Sequence, residues 1–457
     1  MSKRRSFLKN ASIFGAGLLI APSLATQSFA RGAKKKQKIG VIGAGFAGLA
    51  AAYKLQQLGF DVLVLESSQR IGGRVYSHPL ANKQVVELGA EWIGASHERV
   101  IALCKEFDLT LDNNQFDTHL IYKGKYYNNT EWDYSESWNR ALEKLKEAYP
   151  NLSQKEQEAL DKMDWWRLLV NSGCEDKDLD LMELIDSTDF GESIRHVSAY
   201  TGLAQKAGSS PKNEMDYKIV GGNIRLAEQL MSAVGQDKIR LNHSVRSIEQ
   251  HKKVKVSCTN GEVFEFDKIV CALPTYALSK IAWSPALPAS KVAAINELQY
   301  ARINKHVVTF EERFWKDEAF DMVTDECPHY FYHATKNQAG PSGALISYTI
   351  GDKAAIFANR SKAAAATDIN NTLAPHFGDI AAKIADQTNF YWGDNASSKG
   401  AYALYGKDQW FRIKPVLAQN FKNVHFAGEH LADWQGFMEG AIVTGEDAAL
   451  AICKNCK

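Results

Sequence analysis

The folded part of the chain opens with two short apolar runs on either side of an Ala- and Leu-rich stretch. Lys38-Ile39-Gly40-Val41-Ile42 predicts a buried strand, residues 47–58 predict a helix, and residues 61–65 predict a second strand. Between the first strand and the helix lies the GxGxxG string Gly43-Ala44-Gly45-Phe46-Ala47-Gly48. This order is typical of a βαβ unit that binds a dinucleotide.

The three glycines of this string have separate physical tasks. Gly43 permits the tight turn, Gly45 lets the backbone approach a pyrophosphate, and Gly48 lets the helix pack against the strand. The helix N-terminus presents free N–H groups to the anion. Glu66, directly after the second strand, can accept both ribose hydroxyls and would repel a 2′-phosphate, which disfavours NADP. NAD and FAD are not separated by this unit alone.

Later stretches of the chain repeat the strand pattern. Residues 239–267 predict short strands with an Asn260-Gly261 hairpin turn. Gly221-Gly222-Asn223 precedes a helix-like stretch. The run from Arg302 to Val308 predicts an apolar strand with one lysine, Lys305, at a position that normally faces solvent.

The composition is that of an ordinary globular protein, and the balanced charge gives no indication of nucleic-acid binding. The 457 residues are 45% apolar, 23% charged and 11% aromatic, and 54 basic residues oppose 53 acidic ones. Residues 1–30 hold four basic residues and no acid, so that removing them leaves 50 basic against 53 acidic residues. The uneven N-terminus therefore needs its own explanation.

The N-terminal segment resembles a bacterial twin-arginine export signal. Arg4-Arg5 precedes an apolar run from Ala11 to Ala25, too short to span a membrane, and Ser28-Phe29-Ala30 suits cleavage. An ordinary secretory signal and an uncleaved anchor are the alternatives. We expect residues 1–30 to be read by the twin-arginine export machinery, residues 31–37 to form a basic linker, and the folded protein to be periplasmic.

Two groups of strings resemble the flavin-containing amine oxidase family, which includes monoamine oxidases, polyamine oxidases and some bacterial L-amino-acid oxidases. The first is Ser68 to Arg74, with two glycines between two arginines, followed by Glu87-Leu88-Gly89-Ala90-Glu91-Trp92. The second is residues 424–430 followed by residues 435–441. The resemblance implies an α/β fold of the glutathione reductase-like FAD type, with two domains interleaved in sequence. The Rossmann-like FAD-binding domain would comprise residues 38–94, 212–285 and 388–457, and the α+β substrate domain residues 95–211 and 286–387.

The resemblance also implies which residues contact FAD. Gly45, Phe46 and Ala47 would lie along the pyrophosphate, Glu66 at the adenosine ribose and Arg74 near the phosphates. Val245 would offer its backbone to adenine. The residues beside the flavin ring would be Gly89, Ala90, Glu91, Trp92 and Trp392. Glu429 and Met438 would complete the FAD site.

Three residues match positions of the family that lie at the reacting atoms. Lys305, nine residues before Phe314, matches a lysine that holds a water against flavin N5. Tyr402 and Phe437 match a pair of aromatic walls between which the amine approaches, with Phe437 where the family usually has a tyrosine. In monoamine oxidases a cysteine bonded to FAD precedes the first of these aromatic residues. Ala401 stands there in this chain, which predicts noncovalent FAD.

The implied reaction is hydride transfer from the carbon beside a primary amine or polyamine nitrogen to flavin N5. The imine is then hydrolysed to a carbonyl compound and ammonia or an amine, and O₂ is reduced to H₂O₂ unless a quinone or cytochrome accepts the electrons. No metal site is expected. An L-amino-acid oxidase or dehydrogenase of the same family, another flavin oxidation such as desaturation, and a non-catalytic flavin-binding protein stay open.

Recognition of a substrate carboxylate would call for an arginine. The Gly-x-x-Arg string of many L-amino-acid oxidases is absent at residues 89–92, which leaves Arg99 and Arg302 as arginines that could reach the site. Glu91 would repel a carboxylate, or attract an ammonium group if its side chain faces the cavity. The sequence leaves open a homodimer and a disulfide between Cys453 and Cys456.

Overall fold

A computed structural model describes residues 36–454 of the chain. The predicted signal peptide, residues 31–35 of the predicted linker and Cys456 lie outside the described residues, so those expectations stay predictions. Within residues 36–454, no helix combines the length and the apolar character that crossing a bilayer requires.

A five-stranded parallel sheet contains the predicted βαβ unit at its centre. Lys38–Ile42 pairs in register with Asp61–Leu65 and, on its other edge, with Lys268–Cys271. Both predicted strands and the helix, Phe46–Gln57, are confirmed. The order across the sheet is Val424–Phe426, Lys268–Cys271, Lys38–Ile42, Asp61–Leu65 and Ile239–Arg240.

The alternation of side chains in the first strand explains the layers on either side of this sheet. Ile39 and Val41 pack into a core with the helices, whereas Ile42 packs with the four-stranded sheet on the opposite face. Gly40 faces that second layer as well, where a Cβ atom would lie 2.7 Å from the Phe266 ring. The strands of the four-stranded sheet are, in order, Val263–Phe266, Val254–Cys258, Val245–Gln250 and Ala282–Ser284.

A seven-stranded mixed sheet forms the second large layer. Ile303–Phe310, which carries Lys305, has seven buried residues out of eight. Lys305 therefore does not face solvent, although the pattern of its strand alone would place it there, because both faces of the strand are covered. Val307 packs in one hydrophobic cluster with Val86 and Leu88, and Val308 packs in another under the helix Lys362–Phe377. The order across the sheet is Ile384–Tyr391, Ile303–Phe310, Gly343–Ile350, Tyr330–His333, Phe320–Thr324, Asp117–Tyr122 and Lys125–Tyr127.

The remaining strands form three short pairs, and α-helices cover the sheets. The pairs are Ser77–Pro79 with Val85–Glu87, Leu111–Asn113 with Tyr217–Ile219, and Gln299–Tyr300 with Ala403–Leu404. The helices are Phe46–Gln57, Glu98–Glu106, Glu136–Ala148, Gln154–Asp161, Trp165–Asn171, Asp176–Phe190, Ala199–Gly208, Ile224–Val234, Thr275–Ser279, Ala289–Glu297, Gly351–Ala358, Lys362–Phe377, Lys414–Ala418 and Met438–Lys454.

The two large sheets draw on interleaved parts of the chain. The five-stranded sheet uses strands that lie within residues 38–94, 212–285 and 388–457. The strand Ile384–Tyr391 crosses the predicted boundary between residues 387 and 388, because it pairs with Ile303–Phe310 along its length. The exact domain boundaries stay a prediction.

Candidate active site

One cavity of about 830 Å³ begins at the glycine loop, at the carboxyl ends of the parallel strands, and extends to the seven-stranded sheet. Ligands of open α/β sheets bind at this edge of the sheet. The structure brings nearly all the sequence-predicted site residues together around this cavity. They are Gly43, Gly45, Phe46, Ala47, Glu66, Arg74, Gly89, Ala90, Glu91, Trp92, Val245, Lys305, Trp392, Tyr402, Glu429, Phe437 and Met438.

Gly48, the remaining predicted residue, does not line the cavity but lies behind the glycine loop. A Cβ atom on Gly48 would lie 1.9 Å from the carbonyl oxygen of Gly43, so any other residue would push the helix away from the turn. Gly43 has a φ of +100°, which favours glycine, and closes the turn between strand and helix. The two glycines therefore hold the helix N-terminus against the cavity.

Glu66 connects the end of the second strand to the glycine loop. Its Oε2 accepts a hydrogen bond from the backbone N–H of Ala44 at 2.7 Å, and its Oε1 accepts one from Ser68 N–H at 2.9 Å. Oε1 also accepts from Ser67 Oγ at 3.3 Å, so the second lone pair of Oε2 is the one left to accept a ribose hydroxyl. The helix Phe46–Gln57 that follows has neither a side-chain cap nor an acid in its first turn. Its N-terminus is therefore free to bind an anion.

Arg74 and Glu429 join two segments that are 355 residues apart in sequence. Arg74 Nη1 donates to Glu429 Oε1 at 2.6 Å, and Glu429 Oε2 accepts from the backbone N–H of Gly436 at 2.7 Å. Burial lowers the pKa of Arg74, but the adjacent Glu429 carboxylate outweighs it and raises the pKa overall. The guanidinium group therefore stays charged at the wall of the cavity.

These features fit FAD. The cavity offers a glycine loop and an uncapped helix N-terminus for the pyrophosphate, a carboxylate for the ribose and an arginine beside the phosphates. Val245 lines the same cavity from the strand Val245–Gln250. Gly89 and Ala90 line it near Lys305, where the flavin ring would lie.

Lys305 is 4% exposed, and all three N–H donors of its ammonium group have acceptors. Nζ donates to the carbonyl oxygens of Glu87 and Gly89, each at 2.9 Å, and to Glu91 Oε2 at 3.1 Å. Burial lowers the pKa of Lys305, and the Glu91 carboxylate opposes that shift. Lys305 thus fastens the segment Glu87 to Glu91, which forms one wall of the cavity, to the seven-stranded sheet.

Glu91 is the centre of a buried polar cluster that the sequence did not indicate. Its Oε1 accepts from Lys218 Nζ at 3.0 Å, and its Oε2 accepts from both Lys305 and the Tyr332 hydroxyl. Burial raises the pKa of Glu91, but Lys218 and Lys305 together lower it below its ordinary value. Both carboxylate oxygens have partners, so Glu91 is occupied by the protein's own cations and not by a substrate ammonium group.

Trp392 and Tyr402, two of the aromatic residues predicted from the resemblance, donate hydrogen bonds to backbone carbonyl oxygens. Trp392 is buried and donates from Nε1 to the carbonyl oxygen of Leu88 at 2.8 Å. The Tyr402 hydroxyl donates to the carbonyl oxygen of Asp189. Burial and the neighbouring Tyr348 hydroxyl raise the pKa of Tyr402 well above its ordinary value, so its phenol stays protonated.

Phe437 is supported by His97, a buried histidine that does not itself line the cavity. The ring centroids of His97 and Phe437 are 5.0 Å apart in an edge-to-face arrangement. His97 Nδ1 accepts from Gly94 N–H at 3.0 Å, and its Nε2 lies 3.1 Å from Glu214 Oε2. These contacts fix the orientation of the imidazole behind Phe437.

Arg99 and Arg302, the arginines that could have reached the site, do not line the cavity. Arg99 binds Glu446 through Nε and Nη2, and Arg302 binds Glu192 and Asp352. The arginines that line the cavity are Arg70 and Arg74, beside the glycine loop. The structure thus gives neither Arg99 nor Arg302 a place at the cavity, because carboxylates elsewhere hold both guanidinium groups.

The far end of the cavity is lined by residues that no local sequence motif identified: Tyr348, Tyr330, Val323 and Asp321. Strand register brings them together: Lys305 lies opposite Tyr348, Tyr348 opposite Tyr330, and Tyr330 opposite Val323. Asp321 lies two residues before Val323, on the same face of the sheet. Only the pairing of strands that are distant in sequence, and not a motif, could have identified them.

The sequence matches a known family over most of its length. The model of the family described as "Flavin containing amine oxidoreductase" matches residues 46–453. Amine oxidase (flavin-containing) B of Homo sapiens is 27% identical over 90% of this chain and 85% of its own length. An L-amino acid dehydrogenase of Synechocystis sp. is 23% identical over 90% of this chain and 94% of its own length.

Solved structures share the fold. Putrescine oxidase, solved with putrescine bound, superposes with a TM-score of 0.83 at 20% identity, covering 92% of this chain and 99% of its own. Cyclohexylamine oxidase from Brevibacterium oxydans superposes with a TM-score of 0.82 at 22% identity over the same shares. The predicted α/β fold of an FAD-binding protein is confirmed, and it is built on one parallel and one mixed large sheet. The chain belongs to the flavin containing amine oxidoreductase family and is an FAD-dependent enzyme.

Proposed function

We propose that this enzyme deaminates an amine oxidatively, with FAD as the cofactor and O₂ as the electron acceptor. The observation that carries the proposal is the aromatic and acidic lining of the cavity beyond Lys305. Tyr402 and Phe437 line it, the acids Asp189 and Asp321 lie further along, and its arginines lie at the opposite, dinucleotide end. Such a wall favours a cationic or neutral amine over an anion.

The protein's own residues bind and orient the substrate. The negative faces of the Tyr402 and Phe437 rings attract the amine, whether neutral or protonated, and confine the carbon beside it. The amine must have lost its extra proton when the hydride leaves, because the nitrogen lone pair drives the transfer. The hydrogen bond from Tyr402 to Asp189 and the ring contact from His97 to Phe437 keep both rings in place. This preorganisation is the protein's contribution to the rate.

Bound FAD supplies the acceptor for the hydride that leaves the carbon beside the amine nitrogen. The surrounding wall of Gly89, Ala90 and Trp392 excludes bulk water from that position. Lys305, beneath the same wall, carries a positive charge close to where the flavin ring would lie. We propose that this charge assists reaction with O₂ by stabilising the reduced oxygen anion, since a fixed charge in a dry site acts strongly.

Ala401 supports noncovalent attachment of FAD. It lines the cavity next to Tyr402, at the position where the resemblance places the cysteine that bonds to the cofactor in monoamine oxidases. An alanine methyl group cannot form a thioether. The cofactor would then be held by noncovalent contacts alone, among them those of the glycine loop, Glu66 and Arg74.

Amino-acid oxidation is the second candidate, because one relative is named an L-amino acid dehydrogenase. A carboxylate beside the reacting carbon would need a cationic partner near Tyr402. The lining cation at that end is Lys305, whose three donors are already bonded. The geometry therefore supports an amine without an α-carboxylate.

We also propose that residues 1–30 direct export of the folded protein to the periplasm through the twin-arginine machinery. The support is the arginine pair, the weakly apolar run and the cleavage pattern of that segment. Cell fractionation of the wild type and of Arg4→Lys combined with Arg5→Lys tests this. Retention of the double variant in the cytoplasm is expected, and unchanged periplasmic recovery would contradict the proposal.

The deciding experiment for the reaction is anaerobic. Purified yellow protein is mixed with a panel of monoamines, diamines and L-amino acids, and flavin absorbance is followed. Bleaching by amines and not by amino acids is expected, whereas bleaching by amino acids alone would favour the second candidate. Subsequent admission of air with peroxide detection separates an oxidase from a dehydrogenase that uses a quinone or cytochrome. A protein that no member of the panel bleaches would favour a binding role.

A further inference from the structure

Lys218 is a buried lysine that does not line the cavity. It lies at the centre of the short strand Tyr217–Ile219, and its side chain is 12% exposed. Its Nζ donates to Glu91 Oε1 at 3.0 Å and to the carbonyl oxygen of Ala334 at 3.1 Å. Because Glu91 is on the cavity wall, Lys218 lies directly behind that wall.

Glu91 is shared between two lysines. Its Oε2 lies 3.1 Å from Lys305 Nζ, and its Oε1 lies 3.0 Å from Lys218 Nζ. Within residues 36–454, no second carboxylate forms an ion pair with either lysine. The nearby Glu87 carboxylate accepts from a serine hydroxyl and a backbone N–H instead, and burial raises its pKa. Two cations therefore share one counter-ion beneath the wall.

The opposite ratio of charges is found toward the substrate end of the cavity. Lys206 Nζ lies 2.7 Å from Asp186 Oδ1 and 2.9 Å from Asp189 Oδ2, so one cation there has two carboxylates. Asp189 lines the cavity on the substrate side, whereas Glu91 lines it where the flavin ring would lie. The excess of lysine over carboxylate around Glu91 is therefore a property of the flavin end.

The shared carboxylate affects the electric field at the position of the flavin ring. A carboxylate that belonged to Lys305 alone would cancel most of the lysine charge at a distance. Lys218 balances part of the same carboxylate through its other oxygen, so part of the Lys305 charge stays uncompensated in a low-dielectric site. The flavin ring of FAD becomes anionic when it takes up two electrons and one proton, and a positive charge beside it stabilises that form.

We propose that Lys218 is a positioning residue that raises the reduction potential of bound FAD, acting through Glu91 and Lys305 without touching the cofactor. Two ammonium groups and one carboxylate hold a net positive charge under the flavin ring, and removal of the Lys218 charge would leave a neutral pair. The inference goes beyond the proposed function, because it depends on bound FAD and not on which amine the enzyme oxidises.

The test measures the midpoint potential of the FAD-loaded enzyme without any amine. Xanthine and xanthine oxidase reduce the protein slowly under anaerobic conditions beside a reference dye of known potential, and the absorbances of flavin and dye give the midpoint. Lys218→Gln removes the charge and keeps a donor for Glu91. We expect the ratio of reduced to oxidised flavin at a fixed potential to fall roughly tenfold, which for a two-electron couple is a decrease of about 30 mV.

Three further variants separate the charge of Lys218 from its packing. Lys218→Arg keeps the charge and should keep the wild-type potential. Lys218→Gln combined with Glu91→Gln removes one charge of each sign, so the potential should return toward the wild-type value. Lys353→Gln is the matched control, because it removes a half-buried lysine whose Nζ donates to backbone carbonyl oxygens away from the cavity lining. Its potential should equal that of the wild type.

All potentials are compared at about pH 6.5, so that the lysines keep their protons when Glu91 is replaced. Lys291 shows what to expect, because its Nζ has three backbone carbonyl acceptors and no carboxylate, and burial lowers its pKa to about 8. A lower potential in Lys218→Gln that the second substitution reverses would support the proposal. An unchanged potential would overturn it, and so would a decrease that the second substitution does not reverse, since lost packing would then be the cause.

If Lys218→Gln does not retain FAD, the same charge is removed in the Glu91→Gln background. The double variant should then have a lower potential than Glu91→Gln alone, because the two differ by one positive charge, and equal potentials would overturn the proposal. None of these measurements uses bleaching by an amine. Failure of the proposed reaction and failure of this inference are therefore separate results.

Discussion

Lys305 and Glu91 form a buried ion pair beneath the wall of the cavity, with 3.1 Å between Nζ and Oε2. The two residues are 214 positions apart in sequence, and the pair joins the segment after the glycine loop to the seven-stranded sheet. Lys218 completes the cluster from a third segment. The arrangement fixes a positive charge under the expected position of the flavin ring.

Lys305→Met is expected to slow reoxidation of the reduced enzyme by O₂ roughly tenfold or more, because it removes a preorganised charge from a dry site. Stopped-flow mixing of the anaerobically reduced protein with oxygenated buffer measures the rate. Lys252→Met, in an exposed turn, is the control and should reoxidise like the wild type. An unchanged reoxidation rate in Lys305→Met would refute the assignment.

Glu91→Gln is expected to lower the free energy of unfolding by about 3 kcal/mol at neutral pH, because Lys218 and Lys305 lose a buried counter-ion. Urea unfolding of the FAD-loaded protein measures the change. The pKa of Lys305 is already lowered by burial and should fall further without the carboxylate. A lysine whose pKa is lower in the folded state is destabilising at low pH, and this penalty shrinks as the pH rises. The loss relative to wild type should therefore be smaller at about pH 9.5 than at pH 7, and a larger loss at high pH would argue against the ion pair.

Glu66→Ala is expected to weaken FAD binding roughly tenfold or more, since it removes an acceptor for the ribose and releases the backbone N–H of Ala44. The dissociation constant is obtained by titrating the apoprotein with FAD and following flavin fluorescence. Glu265→Ala, an exposed acid in a strand of the four-stranded sheet, should bind FAD normally. Equal affinities for the wild type and Glu66→Ala would show that the carboxylate makes no contact with the cofactor.

Acid precipitation of the purified enzyme is expected to leave all yellow colour in the supernatant, because Ala401 provides no sulfur for a bond to FAD. Absorbance of the pellet and the supernatant after precipitation measures the division. A yellow pellet that survives washing in acid and denaturant would contradict noncovalent attachment.

The sequence was sufficient to predict the dinucleotide half of the site, because its determinants are local. The glycines at 43, 45 and 48 and the acid at 66 lie within one βαβ unit, where strand, turn and helix fix their positions. Resemblance to a family added Lys305, Tyr402 and Phe437, and the structure brings all three to one cavity.

The half of the site around Lys305 could not be predicted from local sequence, because its contacts connect segments that are distant in sequence. The burial of Lys305 requires both faces of its strand to be covered, which an isolated apolar run does not reveal. The pairing of Glu91 with Lys218 joins a loop to the short strand Tyr217–Ile219, and these two segments meet only in the fold. Asp321 reaches the cavity only through the register of four neighbouring strands.

The order of strands in the five-stranded sheet also determines at which stage of synthesis the cavity for FAD can be complete. Its edge strand, Val424–Phe426, pairs with Lys268–Cys271, and Glu429 and Phe437 follow this strand in sequence. A nascent chain therefore lacks this edge of the sheet and two walls of the cavity until residues 424–437 have left the ribosome. FAD can occupy the complete cavity only after that point, and truncation before residue 424 would leave a chain that no excess of FAD can rescue.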